Sequence, residues 1–274
     1  MTLRRAGIMG WPVSHSLSPK LHDFWLKQYG IEGSYEFLPV EPENLQTALV
    51  KLVDQGFVGV NLTVPHKERA LPFMAKLDPL AQRVRAVNTV TLHEDGLLYG
   101  LNTDVFGFCQ NILEGGYKPD RNPVALLGAG GAARSAIVAL IDLGVDKIHL
   151  TNRTLTKAQS LAEEFSGKVK IFAWDDRDFL KHISLLVNAT SLGMKGQPSL
   201  AFDLTNLPLD AFVTDMVYAP LETMLLKEAR ERGCRTIDGF GMLLHQARPA
   251  FKAFFGVDPL VTKIVRSYVL ETSL

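Results

Sequence analysis

The feature that most constrains the fold is the segment VALLGAGGAARSAIVAL, in which an apolar strand, a glycine loop and a helix pattern follow one another directly. Gly128 allows a tight turn, Gly130 allows the backbone to approach a pyrophosphate, and the small Ala133 allows the helix to pack closely on the strand. The helix N-terminus adds unpaired N–H groups and a dipole that favours an anion. The segment therefore predicts a dinucleotide-binding site, for which the alternative is a purely structural turn.

The residues after the next predicted strand, KIHLT, indicate which dinucleotide is bound. An NAD site usually carries an Asp or Glu here, which bonds the ribose 2′-hydroxyl. This chain has Asn152, Arg153 and Thr154 instead, followed by Lys157. Guanidinium and ammonium groups pair with a 2′-phosphate, so the pattern favours NADP(H), with a solvated basic turn as the alternative.

Strand and helix patterns alternate along the chain, which is typical of an α/β protein with parallel sheets covered by helices. The first predicted strands are AGIMG, SYEFLPV and FVGVNLTV, and NTVTLHEDGLLYGLN predicts a hairpin that turns at Asp95-Gly96. A second series begins after the linker-like segment GGYKPDRNP, with predicted strands VALLG, KIHLT, VKIFAW, LLVNATS, FVTDMVY and CRTID. Helices are predicted between the strands, one of them from Pro65, and two more end the chain in GMLLHQARPAFKAFFG and DPLVTKIVRSYVLETSL.

Polar residues interrupt these patterns at several points. Ser16 and Ser18 lie in SHSLSPKLH, which has neither the alternation of a strand nor the apolar stripe of a helix. Thr63 and Lys67 follow an apolar strand, where open α/β sheets bind ligands. The remaining positions of this kind are Asn88 before a strand, Asn102 and Asp104 at a strand–helix junction, and Gln246 on the penultimate helix.

Each of these residues, taken alone, also has a structural interpretation. Ser18 and Asp104 are suited to cap helices, and Asn88 is suited to satisfy a turn. Lys67 could be a surface residue, but a cation at a helix start opposes the dipole by a few tenths of a kcal/mol to about 1 kcal/mol. That cost indicates another role for Lys67.

Taken together, these segments resemble the shikimate dehydrogenases, with motifs in the family's order over nearly the whole chain. The matching segments are GWPVSHSLSP, NLTVPHK, RAVNT, GLNTDVFGF, GAGGAARSA, NRT, NATSLGM and GFGMLLHQ. The family reduces 3-dehydroshikimate to shikimate with NADPH in aromatic amino-acid biosynthesis. The resemblance implies two α/β domains: a three-layer substrate domain formed by 1–104 and 239–274, and a Rossmann-type NADP domain, 105–238, with a doubly wound parallel sheet.

The resemblance also implies roles for individual residues. Ser16 and Ser18 would hold the substrate carboxylate, and Lys67 would be the catalytic acid/base, oriented by Asp104. The ring hydroxyls would be bonded by Thr63, Asn88, Asp104 and Gln246, with Tyr218 near the substrate. The implied cofactor residues are Gly128, Ala129, Gly130, Gly131, Ala132, Asn152, Arg153, Thr154, Lys157, Thr190, Met216, Gly239 and Met242.

Three positions depart from the family pattern. Arg85 stands where the family usually has Gly, which bears on the local turn and adds positive charge. Asp23 follows His22 in place of the frequent Asn. Lys157 replaces a frequent Arg and lacks its bidentate fork, which predicts a weaker preference for NADP.

Two alternative functions remain open at this point. An NAD-preferring quinate/shikimate dehydrogenase would carry an acidic residue after the second strand of the dinucleotide domain. A non-catalytic nucleotide-sensing paralogue would be expected to lack Lys67 or Asp104, both of which are present.

The amino-acid composition limits the classes of binding partner and the cellular compartment that we expect. Lys plus Arg equals Asp plus Glu, at 29 each, which indicates a small-molecule substrate and no nucleic-acid or membrane partner. No stretch of about 18 apolar residues occurs, so no membrane span is expected. Cys109 and Cys234 match no metal-ligand spacing, and buried free thiols are typical of a reducing compartment. We expect a cytoplasmic monomer or homodimer without a metal site.

Overall fold

The computed structural model describes residues 3–93 and 95–271 of the chain. The chain divides into two compact units, Met1–Asp104 with Leu244–Leu274 and Val105–Leu243. Each unit contains one six-stranded sheet with helices, which confirms the predicted α/β fold class. The assignment of 1–104 and 239–274 to substrate and 105–238 to NADP concerns ligands, and it stays a prediction.

The elements are numbered in chain order. The strands are β1 Arg4–Gly10, β2 Gly33–Pro39, β3 Phe57–Leu62, β4 Lys76–Leu77, β5 Thr89–Leu92, β6 Leu98–Leu101, β7 Val124–Leu127, β8 Ile148–Thr151, β9 Val169–Ile171, β10 Leu185–Asn188, β11 Phe212–Asp215 and β12 Arg235–Ile237. The α-helices are α1 Ser18–Gln28, α2 Leu45–Asp54, α3 His66–Arg69, α4 Pro79–Val84, α5 Asp104–Glu114, α6 Gly131–Asp142, α7 Leu155–Glu164, α8 Met224–Glu231, α9 Phe240–Phe255 and α10 Lys263–Glu271.

The sheet of the first unit has the strand order β2-β1-β3-β5-β6-β4. β1 pairs in parallel with both β2 and β3, whereas β5 is antiparallel to β3 and to β6. The β5–β6 pair is the predicted hairpin, although Glu94 of its connection lies outside the described residues. In the β1–β3 register Met9 lies opposite Leu62, so the loops that follow these two strands leave the same edge of the sheet.

Two predicted helices have different bounds in the structure. The helix expected from Pro65 is the single turn α3, which ends at Arg69, because Pro72 has no N–H with which to continue the helix. The last predicted helix begins only at Lys263, and its final residues, 272–274, lie outside the described part of the chain.

Arg85 keeps the turn that the family usually builds with glycine. Its φ is 55° and its ψ is 40°, in the left-handed region, directly after the last residue of α4. A non-glycine residue in this region costs about 1–2 kcal/mol. The turn is closed by the bond from the Arg85 N–H to the Ala81 carbonyl at 2.8 Å, and the Val87 N–H then donates to the Lys67 carbonyl at 2.8 Å.

The sheet of the second unit is parallel throughout, with the order β12-β11-β10-β7-β8-β9. From β7 the chain adds strands outwards to β9 on one side and, after β10, outwards to β12 on the other. The boundary between β7 and β10 is therefore the switch point of a doubly wound sheet, the place where such sheets bind ligands. The last residues of four neighbouring strands lie in one row, Thr151, Leu127, Asn188 and Asp215. The loops after these strands therefore start side by side.

A buried carboxyl joins two of these loops. Asp215 is fully buried, and its Oδ1 accepts bonds from Asn188 Nδ2 and from the Val217 N–H, both at 2.9 Å. Its Oδ2 accepts a bond from Thr223 Oγ1 at 2.7 Å, just before α8. The three donors offset part of the desolvation of the charge, yet burial still raises the pKa of Asp215 to about 6 from 3.8.

The raised pKa sets the direction of a pH effect on stability. The folded chain binds the Asp215 proton more tightly than the unfolded chain does. The stabilisation of the folded state by this proton is therefore fully present below about pH 4 and is lost as the pH rises through about 6. One pKa unit corresponds to about 1.4 kcal/mol, and the carboxyl of the unfolded chain is already partly ionised at pH 4. The unfolding free energy of the natural chain relative to Asp215→Asn should therefore fall by about 2 kcal/mol from pH 4 to 7. Urea unfolding of the natural chain and of Asp215→Asn across this pH range measures this relative free energy. A natural chain that becomes more stable relative to Asp215→Asn as the pH rises would contradict the prediction.

Candidate active site

An ion pair between Lys67 and Asp104 lies in the first unit. Lys67 belongs to α3, shortly after β3, and Asp104 is the first residue of α5, where the helix dipole favours a carboxylate. The Lys67 ammonium donates to Asp104 Oδ2 at 2.6 Å, and the two side chains are 18% and 4% exposed. Little water therefore screens the pair, while part of the lysine stays accessible.

Asn88 holds the other oxygen of the same carboxylate. Its Nδ2 donates to Asp104 Oδ1 at 2.9 Å and to Thr103 Oγ1 at 2.8 Å, and its Oδ1 accepts the Thr103 N–H at 2.8 Å. Gln246 Oε1, on α9, lies 3.3 Å from the same Nδ2. The amide thus contacts residues far away in sequence and does not merely satisfy a local turn. Lys67, Asp104, Asn88 and Gln246 form one network.

The two predicted serines are buried and close together. Ser16 and Ser18 are 8% and 3% exposed, and Ser16 Oγ lies 3.2 Å from both Ser18 Oγ and the Ser18 N–H. Helix α1 begins at Ser18 itself, its N-cap residue is Leu17, and that residue makes no side-chain cap bond. The alternative role of Ser18 as a helix cap is therefore not observed.

Thr63 leaves the same edge of the sheet as the serine loop. It directly follows β3, and its N–H donates to the Met9 carbonyl of β1 at 2.9 Å. The hydroxyls of the β1 loop and the residues from Thr63 to Lys67 are consequently presented by neighbouring strand ends. This is the edge at which open α/β sheets bind ligands.

The glycine loop of the second unit has the geometry that a dinucleotide needs. Gly128 has a φ of 109°, and a Cβ there would lie 2.9 Å from the Ala189 carbonyl oxygen, so glycine is required. Gly130 is the N-cap of α6, without a side-chain cap, and a Cβ on it would meet nothing within 4 Å. Open space beside the first N–H groups of α6 fits a phosphate group. Between them lies Ala129, and the first helical residues are Gly131 and Ala132.

The turn after β8 carries basic side chains at the surface. Arg153 and Lys157 are exposed, and α7 begins just after Thr154. The Asn152 Nδ2 donates to the Thr154 carbonyl at 2.9 Å and shapes the turn. No acidic residue stands between Thr151 and Lys157, so the donor set fits a phosphate on the ribose better than a free 2′-hydroxyl.

The remaining cofactor positions follow β10 and β11 or begin α9. Thr190 donates both its N–H and its Oγ1 to Asn188 Oδ1, at 3.0 and 2.8 Å, and is thereby tied to Asp215. A Cβ on Gly239 would lie 2.7 Å from the carbonyl of Met216, so only glycine allows this approach. Met242 is 8% exposed, and Tyr218 follows Val217, whose N–H is held by Asp215.

Two further residues of the network, Asn61 and Thr103, have no role predicted from the sequence. Asn61 donates from Nδ2 to the Asn88 carbonyl at 3.1 Å, and Thr103 bonds both ends of the Asn88 amide. Both stand inside the motifs NLTVPHK and GLNTDVFGF, and a polar residue at an inward position of an apolar strand was the available signal for Asn61.

Two features are absent from the described residues, 3–93 and 95–271. No group of three or more His, Cys, Asp or Glu side chains in this part of the chain is placed to hold a metal ion. None of its helices has both the length and the apolar character needed to cross a membrane.

Comparison with known proteins follows the two-unit division. Residues 8–90 match the model of the shikimate dehydrogenase substrate binding domain, and residues 111–193 match that of shikimate / quinate 5-dehydrogenase. The chain is 50% identical over 271 residues to the shikimate dehydrogenase (NADP(+)) of Paramagnetospirillum magneticum, with 98% of each chain covered.

Two solved structures extend the comparison to the fold. The shikimate 5-dehydrogenase of Thermus thermophilus in complex with NADP(H) and shikimate has a TM-score of 0.88 and 37% identity, covering 99% of this chain and 100% of that one. The quinate dehydrogenase of Corynebacterium glutamicum in complex with NAD has a TM-score of 0.89 and 33% identity, covering 98% and 99%. On these similarities, and with the motifs in both units, the chain belongs to the shikimate/quinate dehydrogenase family.

Proposed function

We propose that the protein is an NADP-dependent shikimate dehydrogenase, which reversibly reduces 3-dehydroshikimate to shikimate on the route to chorismate and the aromatic amino acids. The observation that carries the proposal is the buried Lys67–Asp104 pair, bonded through Asn88 to Gln246. This pair occurs in a chain that is 50% identical to a shikimate dehydrogenase (NADP(+)). A non-catalytic sensor would have no need of a shielded ion pair at a ligand-binding edge.

The side chains that bind the substrate form two groups, one for its carboxylate and one for its ring hydroxyls. Ser16 and Ser18 supply hydroxyl donors for the carboxylate of shikimate, which needs no basic patch. The ring hydroxyls are bonded by Thr63, Asn88, Asp104 and Gln246, with Tyr218 near the substrate. Because a substrate analogue that lacks a hydroxyl would leave one of these buried groups unpaired, such a site discriminates strongly.

Lys67 is the acid and base of the reaction. NADPH, when bound, supplies a hydride to the substrate carbonyl carbon. Negative charge develops on the carbonyl oxygen, and the Lys67 ammonium stabilises it and donates the proton that completes the alcohol. Asp104 holds the ammonium at 2.6 Å and so fixes its direction; in the reverse reaction Lys67 accepts the proton.

The cofactor site lies on the second unit. The glycine loop from Gly128 to Ala132 binds the pyrophosphate at the N-terminus of α6. Asn152, Arg153, Thr154 and Lys157 bind the adenosine end, with the two cations on the 2′-phosphate. Gly239 and Met242 line the nicotinamide, and Thr190 and Met216 complete the set. The cytoplasmic location and the state, monomer or homodimer, stay predictions.

The rate of nicotinamide reduction with shikimate tests the function directly. We expect activity with saturating NADP⁺ and a much lower kcat/KM with NAD⁺. A preference for NAD⁺, the cofactor in the related quinate dehydrogenase structure, would move the protein to the NAD-dependent branch of the family. A folded chain without activity on either cofactor would support the sensing paralogue.

Replacement of the proposed acid should affect turnover more than binding. Lys67→Ala is expected to lower kcat by roughly 10²- to 10⁴-fold, since that is what a positioned proton donor contributes, and to leave shikimate binding by calorimetry within about tenfold. Lys51→Ala removes an exposed lysine from α2 and serves as the control. Near-normal turnover in Lys67→Ala would refute the assignment.

Replacement of Arg153 should change the choice of cofactor. Arg153→Ala is expected to lower kcat/KM for NADP⁺ by roughly 10- to 100-fold, the value of a charge-assisted hydrogen bond, with little change for NAD⁺. Arg235→Ala is the matched control, because Arg235 begins β12 and so stands at the opposite edge of the sheet. An equal loss with both cofactors would contradict a specific contact with the 2′-phosphate.

A further inference from the structure

We propose that the Tyr35 hydroxyl is a positioning group for proton transfer: acting through Asn61 and Asn88, it holds Asp104, and with it Lys67, in the reactive arrangement. The inference rests on the proposed function, which gives Lys67 and Asp104 their roles. Tyr35 lies on β2, the edge strand of the first sheet, and is 4% exposed. Four hydrogen bonds, through the side chains of Asn61, Thr89 and Asn88, connect its hydroxyl with the Asp104 carboxylate.

The first bond fixes the direction of an amide. Tyr35 Oη donates to Asn61 Oδ1 at 2.7 Å, reaching from β2 past β1 to β3. In the register of these strands Tyr35 lies opposite Ala6, and Asn61 lies opposite Ile8, so the two side chains share one face of the sheet. Because the amide oxygen faces the phenol, the Asn61 NH₂ group is turned the other way.

The second amide is oriented by the first. Asn61 Nδ2 donates to the Asn88 carbonyl at 3.1 Å and to Thr89 Oγ1 at 2.9 Å, and Thr89 Oγ1 in turn donates to Asn88 Oδ1 at 3.2 Å. With its oxygen engaged there, Asn88 presents Nδ2 to Asp104 Oδ1 at 2.9 Å. Every donor in this series of hydrogen bonds from Tyr35 to Asp104 meets an acceptor. Reversal of either amide would therefore place like groups together in a buried site.

The ring that carries the hydroxyl is itself held in place. His22 is fully buried and stacks on Tyr35, with 3.9 Å between ring centroids and 16° between planes. Burial lowers the pKa of His22 to about 3, so the stacked ring is neutral. Trp25 and Phe251 pack on the same histidine at 5.9 and 5.7 Å. A buried ring packed in this way presents its hydroxyl to one position.

Removal of the hydroxyl should therefore act on the reaction and not only on stability. Tyr35→Phe keeps the stacked ring and removes the donor to Asn61. We expect kcat/KM for shikimate to fall roughly 3- to 30-fold, the range seen for residues coupled to a site without touching the ligand. The KM for NADP⁺ should stay within about twofold, because the bonds involved are all in the other unit.

Tyr117→Phe is the matched control. Tyr117 is 1% exposed and its hydroxyl shares a single 3.2 Å bond with Ser184 in the second unit, so the exchange also removes one buried hydroxyl. Both variants should lose some thermal stability. Only Tyr35→Phe should change kcat/KM for shikimate when the two are assayed well below their melting temperatures.

Thr89→Val removes the hydroxyl that follows Asn61 in this series of hydrogen bonds. It tests the proposal if Tyr35→Phe does not fold. Thr89 is fully buried, and valine has its shape without the hydroxyl. We expect the same kinetic defect, and in the double variant a loss smaller than the product of the two single losses, because both act on one amide.

The outcomes separate this inference from the function on which it rests. A natural chain without shikimate activity would overturn both. An active natural chain with Tyr35→Phe kinetically equal to Tyr117→Phe would overturn the positioning role alone, as would Tyr35→Phe and Thr89→Val losses that multiply in full. A shared, non-multiplying loss in kcat/KM for shikimate would support it.

Discussion

The structure depends on one geometric constraint, that parallel strands in register end at a common edge. In the first sheet, the ends of β1 and β3 place the serine loop beside the segment that carries Thr63 and Lys67. In the second, Leu127, Thr151, Asn188 and Asp215 end in one row. Residues as far apart in sequence as Ser16 and Lys67 in the first unit, or Leu127 and Asp215 in the second, are gathered in this way. Hydrogen bonds then only have to orient them.

Burying a charged side chain costs free energy, and this cost is offset differently at the two buried carboxyls, Asp104 and Asp215. Asp104 has a cation at 2.6 Å and an amide at 2.9 Å, so its charge is compensated within the network. Asp215 accepts three neutral donors, and burial raises its pKa to about 6. The first arrangement holds the Lys67 ammonium beside a carboxylate, whereas the second joins the end of β10 to the segment between β11 and α8.

Much of this was predictable from local sequence, because glycine loops, hairpin turns and strand–helix alternation each have a short-range cause. The bounds of β7, α6 and the β5–β6 hairpin follow from such signals. The bond from Tyr35 to Asn61 was not predictable, since it joins strands that pair with a third strand between them. The same holds for Asp215, whose donors are Asn188 at the end of β10 and Val217 and Thr223 between β11 and α8. The early end of α3, by contrast, had a local signal in Pro72.

The left-handed conformation of Arg85 has a consequence for the stability of the turn that it occupies. Its backbone strain costs about 1–2 kcal/mol, while a glycine there would leave the unfolded chain more freedom to lose, at about 0.5–1 kcal/mol. The entropic penalty of glycine offsets about half of the strain of arginine, so the presence of arginine costs the fold on the order of 1 kcal/mol or less. Arginine therefore adds a positive charge at a small cost in folding free energy, at a turn where Val87, two residues on, bonds the backbone of Lys67.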